Sequence, residues 1–185
     1  MASYGFGATR KANANGYLRG IQILVAEDAE MSRQIIRDIL KVLGANRLHY
    51  ANDGMQALSI ARATSVDLAL IDWEMPVLSG LEFVRMIRTS EDSPNVFLPI
   101  IMLSSNSEVH HVTAARDAGV NEYLIKPFSA RQLLQRIQTV IERPRPFIKT
   151  TSYFGPDRRR RKDEKYKGRE RRKQADPTSG VHVEE

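Results

Sequence analysis

Five times along the middle of this chain, a short apolar run closes on polar or charged residues and gives way to a stretch with helical periodicity. The runs are IQILVAED from Ile21, LHYAN from Leu48, VDLALID from Val66, PIIMLSS from Pro99 and EYLIKP from Glu122. A continuous apolar run of this length fits a strand buried on both faces better than one with a wet side. The stretches between them are MSRQIIRDILKVLG, DGMQALSIARA, LEFVRMIR after Ser79-Gly80, SEVHHVTAARDAG and ARQLLQRIQTVIE. In the first of these, Ile35, Ile36, Ile39, Leu40 and Leu43 recur at helical spacing, with Gly44 as the stop; Gly119 closes the fourth. Strands that alternate with helices require right-handed crossovers and a parallel sheet covered on both sides.

The expected architecture is therefore α/β: five βα units in a parallel sheet covered on both faces, spanning residues 20–143. Two segments fall outside it. Residues 1–19 are rich in Gly, Ala and Asn with no apolar period, and read as a flexible N-terminal segment. At Arg143 the composition shifts to RPRPF, where proline cannot continue a helix. Residues 144–185 read as a basic low-complexity extension. The formal net charge of +6 belongs to it: residues 144–185 hold 13 Lys/Arg against 7 Asp/Glu, and the remainder holds 15 of each.

The chain has no cysteine, which excludes disulfides, thiolate metal sites and cysteine nucleophiles and fits a reducing compartment. No run is apolar and long enough to span a bilayer, and MASYGFGATR contains no stretch like that of a signal peptide. The expected location is cytoplasmic, with no membrane span.

The polar residues that end the strands carry the chemistry. Glu27 and Asp28 follow the first strand, Asp72 ends the third, Ser104 the fourth and Lys126 the fifth. In a parallel sheet all of these meet beyond the carboxyl ends. Three crowded carboxylates repel one another unless a cation sits among them. Hard oxygen ligands with open positions suit Mg2+, which also binds phosphoryl oxygens. One carboxylate could then act as a nucleophile and carry an acyl phosphate.

The ordered set resembles the receiver domain of two-component response regulators: Glu27-Asp28, Asp72 within DWEMP, Ser104, and Lys126-Pro127. The match covers residues 20–143 in the order and near the spacing of that family, and it implies a flavodoxin-like (βα)5 doubly wound parallel sheet of strand order 2-1-3-4-5. The resemblance implies that Asp72 is the phosphoacceptor and a metal ligand. Glu27 and Asp28 would hold Mg2+ directly or through water, with the backbone carbonyl of Glu74 as a further ligand. Ser104 would hydrogen-bond the phosphoryl group and Lys126 would pair with one of its oxygens. The Lys126–Pro127 bond is cis in the family, and Tyr123 stands at the aromatic switch position, with Ser104 as the other switch residue. The implied partners are a sensor histidine kinase or phosphotransfer protein as donor and a downstream protein target. The target would be met by the face of the fourth helix, fifth strand and fifth helix, as in chemotaxis or phosphorelay regulators. Such a protein phosphorylates and dephosphorylates itself without being a metabolic enzyme. Two departures stand out: Glu27 occupies a position where Asp is common, and Glu74 places a carboxylate beside the phosphoryl site.

Other readings compete with this one. A degenerate receiver would bind partners without phosphorylation. An aspartyl phosphohydrolase would be expected to carry two Asp spaced by one after the first strand, where this chain has Glu27-Asp28-Ala29-Glu30. A nucleic-acid or other polyanion binder, gated by Asp72, would act through the tail, where residues 158–173 carry 11 basic and 3 acidic groups beginning with Arg158, Arg159, Arg160 and Arg161. Tyr153, Phe154 and Tyr166 could stack on bases or anchor the tail to the domain. His110 and His111, adjacent on a helix, project about 100° apart and are not expected to share an ion. Trp73 reads as a loop aromatic beside the site.

Overall fold

The computed structural model describes residues 16–150 and 153–159, together with the backbone of 181–183. Five parallel strands form the central sheet: β1 (Gln22–Ala26), β2 (Arg47–Ala51), β3 (Leu68–Asp72), β4 (Ile100–Ser104) and β5 (Glu122–Ile125). Their order is β2-β1-β3-β4-β5, as expected. The helices between and after them are α1 (Glu30–Val42), α2 (Gly54–Ala63), α3 (Gly80–Thr89), α4 (Val109–Ala118) and α5 (Ala130–Glu142).

Alternate residues of each strand supply the two halves of the core. Leu24 and Ala26 of β1 pack with Ala57 and Leu58 of α2 and with Phe83, Val84 and Ile87 of α3. Ile23 and Val25 pack on the other side with Ile36 and Leu40 of α1 and Leu133 and Ile137 of α5. Both faces of β3 and β4 are buried, which is why their sequences show no polar alternation.

Local chemistry sets the helix ends. Asp53 accepts from the Gln56 amide and starts α2. Ser79–Glu82 and Ser129–Gln132 form reciprocal capping boxes on α3 and α5. Gly119 ends α4 at φ 97°, a left-handed conformation that glycine adopts without steric cost.

Packing extends past both edges drawn from composition. In the segment expected to be flexible, Leu18 is fully buried and its amide donates to the Leu43 carbonyl, while the Tyr17 hydroxyl donates to Glu142. Composition concealed this because a single leucine makes no period. Residues 1–15 of that segment lie outside the described residues.

Beyond α5, the short strands β6 (Phe147–Lys149) and β7 (Phe154–Pro156) pair antiparallel, and β8 (Val181–Val183) runs parallel to β6. The β6–β7 hairpin closes onto the ends of α3 and α4. The rings of Phe97, Phe147 and Phe154 meet edge to face or tilted at 5.1–5.6 Å. Arg88 lies beneath, with its guanidinium 5.1 Å from the Phe147 ring centroid. Arg88 donates to the carbonyls of Gly119, Val96 and Leu98 and to Asn121 Oδ1. Burial pulls its pKa down to about 9, which still leaves it charged at neutral pH. Arg145 ties the hairpin to the sheet through the Asp157 and Asn121 carbonyls.

Candidate functional site

The carboxyl ends of β1, β3, β4 and β5 lie side by side because the strands are parallel and in register. Ala26 sits opposite Ile71, Asp72 opposite Leu103, and Ser104 opposite Ile125. Glu27, Asp72 and Ser104 are buried at that edge, and Asp28 is exposed above it. Carboxylate oxygens of Glu27, Asp28 and Asp72 lie within 4.8 Å of one another.

Lys126 enters from the end of β5. Its ammonium donates to Glu27 Oε2 and contacts Asp72 Oδ1, both at 2.6 Å. The Lys126–Pro127 peptide is cis, as the sequence reading expected. One cation thus answers two buried carboxylates. Burial pushes Asp72 above the usual carboxylate range and the charge of Asp28 adds to the push, against the pull of Lys126. Glu27 is also raised, first by burial and then by the charge of Asp72. Burial alone would lower Lys126, but its hydrogen bonds to Asp72 and Glu27 outweigh that and hold the ammonium above its ordinary value. Burial is the larger cause of both carboxylate shifts; the excess of negative charge follows from the count of three carboxylates to one ammonium. A hard dication fits this pocket: the oxygen ligands converge, and one of them, on Asp28, belongs to an exposed residue.

The loop after β3 frames the pocket. The Trp73 amide donates to the Leu103 carbonyl and the Gly80 amide donates to the Trp73 carbonyl. A Cβ on Gly80 would stand 2.0 Å from the Asp72 carbonyl oxygen, so only glycine lets α3 start this close to the Asp72 backbone. Within the loop, Val77 adopts φ 65° between Pro76 and Leu78, whose amide and carbonyl close a three-residue turn at 2.7 Å. Glu74 lies on this loop with its side chain exposed.

Ser104 and Tyr123 meet through a residue that the sequence reading passed over. The Asn106 amide donates to Ser104 Oγ at 3.0 Å, and the Tyr123 hydroxyl donates to the Asn106 carbonyl at 2.7 Å. Asn106 Oδ1 in turn accepts from the Glu108 amide at 2.8 Å. The signal was present as Asn106-Ser107-Glu108, since asparagine side chains hold their own backbone two residues on. Trp73 packs 5.1 Å from the His111 ring and 6.4 Å from Tyr123.

Arg158, expected at the head of a polyanion-binding run, is engaged on the domain. Its guanidinium lies 3.9 Å from the Tyr153 ring centroid and 3.5 Å from the Asp117 carboxylate. The Arg159 amide donates to Asp157. Arg160, Arg161 and Tyr166 lie outside the described residues. His110 and His111, expected to point apart, have ring centroids only 4.3 Å apart.

Residues 23–138 match the response regulator receiver domain. The chain is 31% identical over 125 residues to chemotaxis protein CheY-3 of Vibrio cholerae serotype O1, spanning 68% of this chain and 95% of that protein. It is 32% identical over 123 residues to chemotaxis protein CheY of Pseudomonas aeruginosa, spanning 66% and 98%. Among solved structures, it superposes with a TM-score of 0.60 on chemotaxis protein CheY4 of Vibrio cholerae, at 31% identity over 65% of this chain and 98% of that one. It superposes equally, at 34% identity over 66% and 98%, on the receiver domain of sensor histidine kinase PA1611 from Pseudomonas aeruginosa PAO1, which has a magnesium ion coordinated in its active site cleft. With this match covering most of the described residues and the acidic edge in place, the chain belongs to the response regulator receiver domain family.

Proposed function

We propose that this protein serves two-component signalling by accepting a phosphoryl group on Asp72 and presenting an altered surface to a protein partner. The observation that carries the reading is the convergence of Glu27, Asp28 and Asp72 around a single ammonium, that of Lys126, at the carboxyl edge of the sheet.

In this reading a carboxylate oxygen of Asp72 attacks phosphorus in line, forming an acyl phosphate. On a phosphohistidine donor the P–N bond breaks and the imidazole leaves with the electron pair. The donor is a sensor histidine kinase or a phosphotransfer protein. Glu27, Asp28, Asp72 and the backbone carbonyl of Glu74 would hold Mg2+, which supplies charge neutralisation for the phosphoryl oxygens. Lys126 favours the ionised form of Asp72 before transfer and pairs with a phosphoryl oxygen after it. Ser104 turns its hydroxyl to the same group. That turn loosens the Asn106 link to Tyr123, so the switch pair acts through one loop. The affected surface is the α4–β5–α5 face, where Val109, Val112 and Ile125 leave apolar area exposed. The chain is itself the phosphoryl carrier and turns over no separate metabolite. No described helix is long and apolar enough to cross a membrane.

The test is labelling with acetyl phosphate and Mg2+. Wild type should incorporate one phosphoryl group, and Asp72→Asn should fall to background. Undiminished labelling of the variant would remove Asp72 from the role.

A further inference from the structure

The start of α4 brings a carboxylate and two imidazoles together outside the acidic pocket. Glu108 Oε2 lies 3.3 Å from His110 Nε2 and 3.8 Å from His111 Nδ1, and one ligand atom from each of the three residues falls within 4.8 Å of the others. Adjacent residues on a regular helix diverge by about 100°. Here the shared partner, Glu108, precedes the helix in extended backbone, so its carboxylate is not bound to the helical register.

One nitrogen of this cluster is poorly served by the protein. His111 Nδ1 is buried and makes no hydrogen bond within the described structure. Glu108 stands too far away for a hydrogen bond at 3.8 Å, yet at a spacing a shared ion would close. Tetrahedral coordination with metal–nitrogen and metal–oxygen bonds near 2.0–2.1 Å places ligand atoms about 3.3–3.4 Å apart. The observed separations need only small side-chain rotations to reach that.

We propose that Glu108, His110 and His111 form a binding site for a divalent transition ion of the zinc or copper class, distinct from the acidic pocket. Imidazole nitrogens favour zinc, copper and nickel, whereas the all-oxygen set of Glu27, Asp28 and Asp72 favours magnesium, so the two sites sort ions by ligand softness. Three protein ligands leave a fourth position open to water or to a ligand from a partner. The positive end of the α4 dipole opposes a cation here, and the Glu108 carboxylate offsets it. Binding through Nδ1 leaves the proton on Nε2 of His111. The ring must then give up its long 3.4 Å contact with the side-chain Nδ2 of Asn106, whose backbone joins Ser104 to Tyr123. An ion at this site therefore acts on the switch loop.

The full chain, kept in excess Mg2+, is titrated with Zn2+ by calorimetry and with Cu2+ by fluorescence of Trp73, the only tryptophan, whose ring lies 5.1 Å from His111. Wild type should take up one equivalent of Zn2+, and Cu2+ should quench the fluorescence. His110→Ala and Glu108→Gln alter exposed side chains, at 71% and 63% exposure, and should melt as wild type does. Each should lose about tenfold or more in affinity, as removing one of three ligands from so small a set requires. Asp28→Asn should bind Zn2+ as wild type does. The proposal fails if wild type takes up no Zn2+ or if His110→Ala binds it equally well. It also fails if Zn2+ displaces Mg2+ and is lost in Asp28→Asn, because the ion would then sit in the acidic pocket.

Discussion

At the scale of single residues, the pocket is an unbalanced set of charges. Glu27, Asp28 and Asp72 face the single ammonium of Lys126, leaving a formal excess of two negative charges, which one dication cancels. In the absence of metal, removing one buried negative charge should therefore help the fold, because Glu27 still satisfies Lys126. Asp72→Asn is expected to raise the melting temperature in EDTA by about 2–4 °C, the response to roughly 1 kcal/mol in a chain of this size. The rise that Mg2+ produces in wild type should shrink in the variant. Calorimetry in EDTA and in Mg2+ checks both, and a lower melting temperature in EDTA would show that the Lys126–Asp72 contact outweighs the repulsion. Gly80 is a second constraint of this kind. Gly80→Ala drives a methyl into the Asp72 carbonyl, and should cost about 3 kcal/mol by overpacking at a site that cannot yield. Urea denaturation measures it; a loss under about 0.5 kcal/mol, the range of ordinary surface changes, would mean that α3 can shift freely.

At the scale of elements, the segments that matter are those joining strands to helices and the hairpin after α5. The β4–α4 loop carries Ser104, Asn106 and Glu108 in one chain of short hydrogen bonds. Tyr123 from β5 closes it, so one network of hydrogen bonds holds the whole loop. The β6–β7 hairpin is held differently, by three phenylalanine rings meeting edge to face or tilted, one of them, Phe147, over a buried guanidinium. Phe147 is buried among them, and Phe147→Ala should destabilise the whole domain by about 3–5 kcal/mol. Urea unfolding followed by far-ultraviolet circular dichroism tests this. If the variant unfolds at the wild-type midpoint, the hairpin is an appendage and not part of the cooperative unit.

At the scale of the molecule, the two features occupy opposite ends of the sheet. The acidic pocket lies beyond Ala26, Asp72 and Ser104, while the hairpin contacts Gly119, Asn121 and Leu98 at the strands' amino ends through Arg88 and Arg145. A five-residue strand at about 3.3 Å per residue separates them by about 16 Å. No described contact joins the hairpin to Ser104, Asn106 or Tyr123. Amide exchange at Ile148 and Gly155 should therefore be the same with and without beryllofluoride on Asp72, while the β4–α4 loop changes. Faster exchange in the hairpin on activation would reveal a coupling through α4 that static packing does not display.

Much of this architecture was legible in the chain, for a physical reason. Strand periodicity, helix periodicity and capping are local, so the five βα units and the polar residues at their ends followed from sequence, as did the glycine that stops α4, while the sheet order came with the family resemblance. The convergence of Glu27, Asp28, Asp72 and Lys126 followed too, because parallel strands place all their carboxyl ends on one side. Tertiary structure decided what depends on distance between remote segments. It buried Leu18 against the region of α1 and α5, although an isolated leucine leaves no pattern. It folded Phe147 onto Arg88 with Phe154 against the Phe147 ring, turning the first part of a basic extension into core, because aromatic residues spaced irregularly acquire a partner only when the chain returns. It also set His110 and His111 around one carboxylate, since helical spacing fixes where side chains leave the backbone but not where a flexible neighbour from the preceding loop meets them.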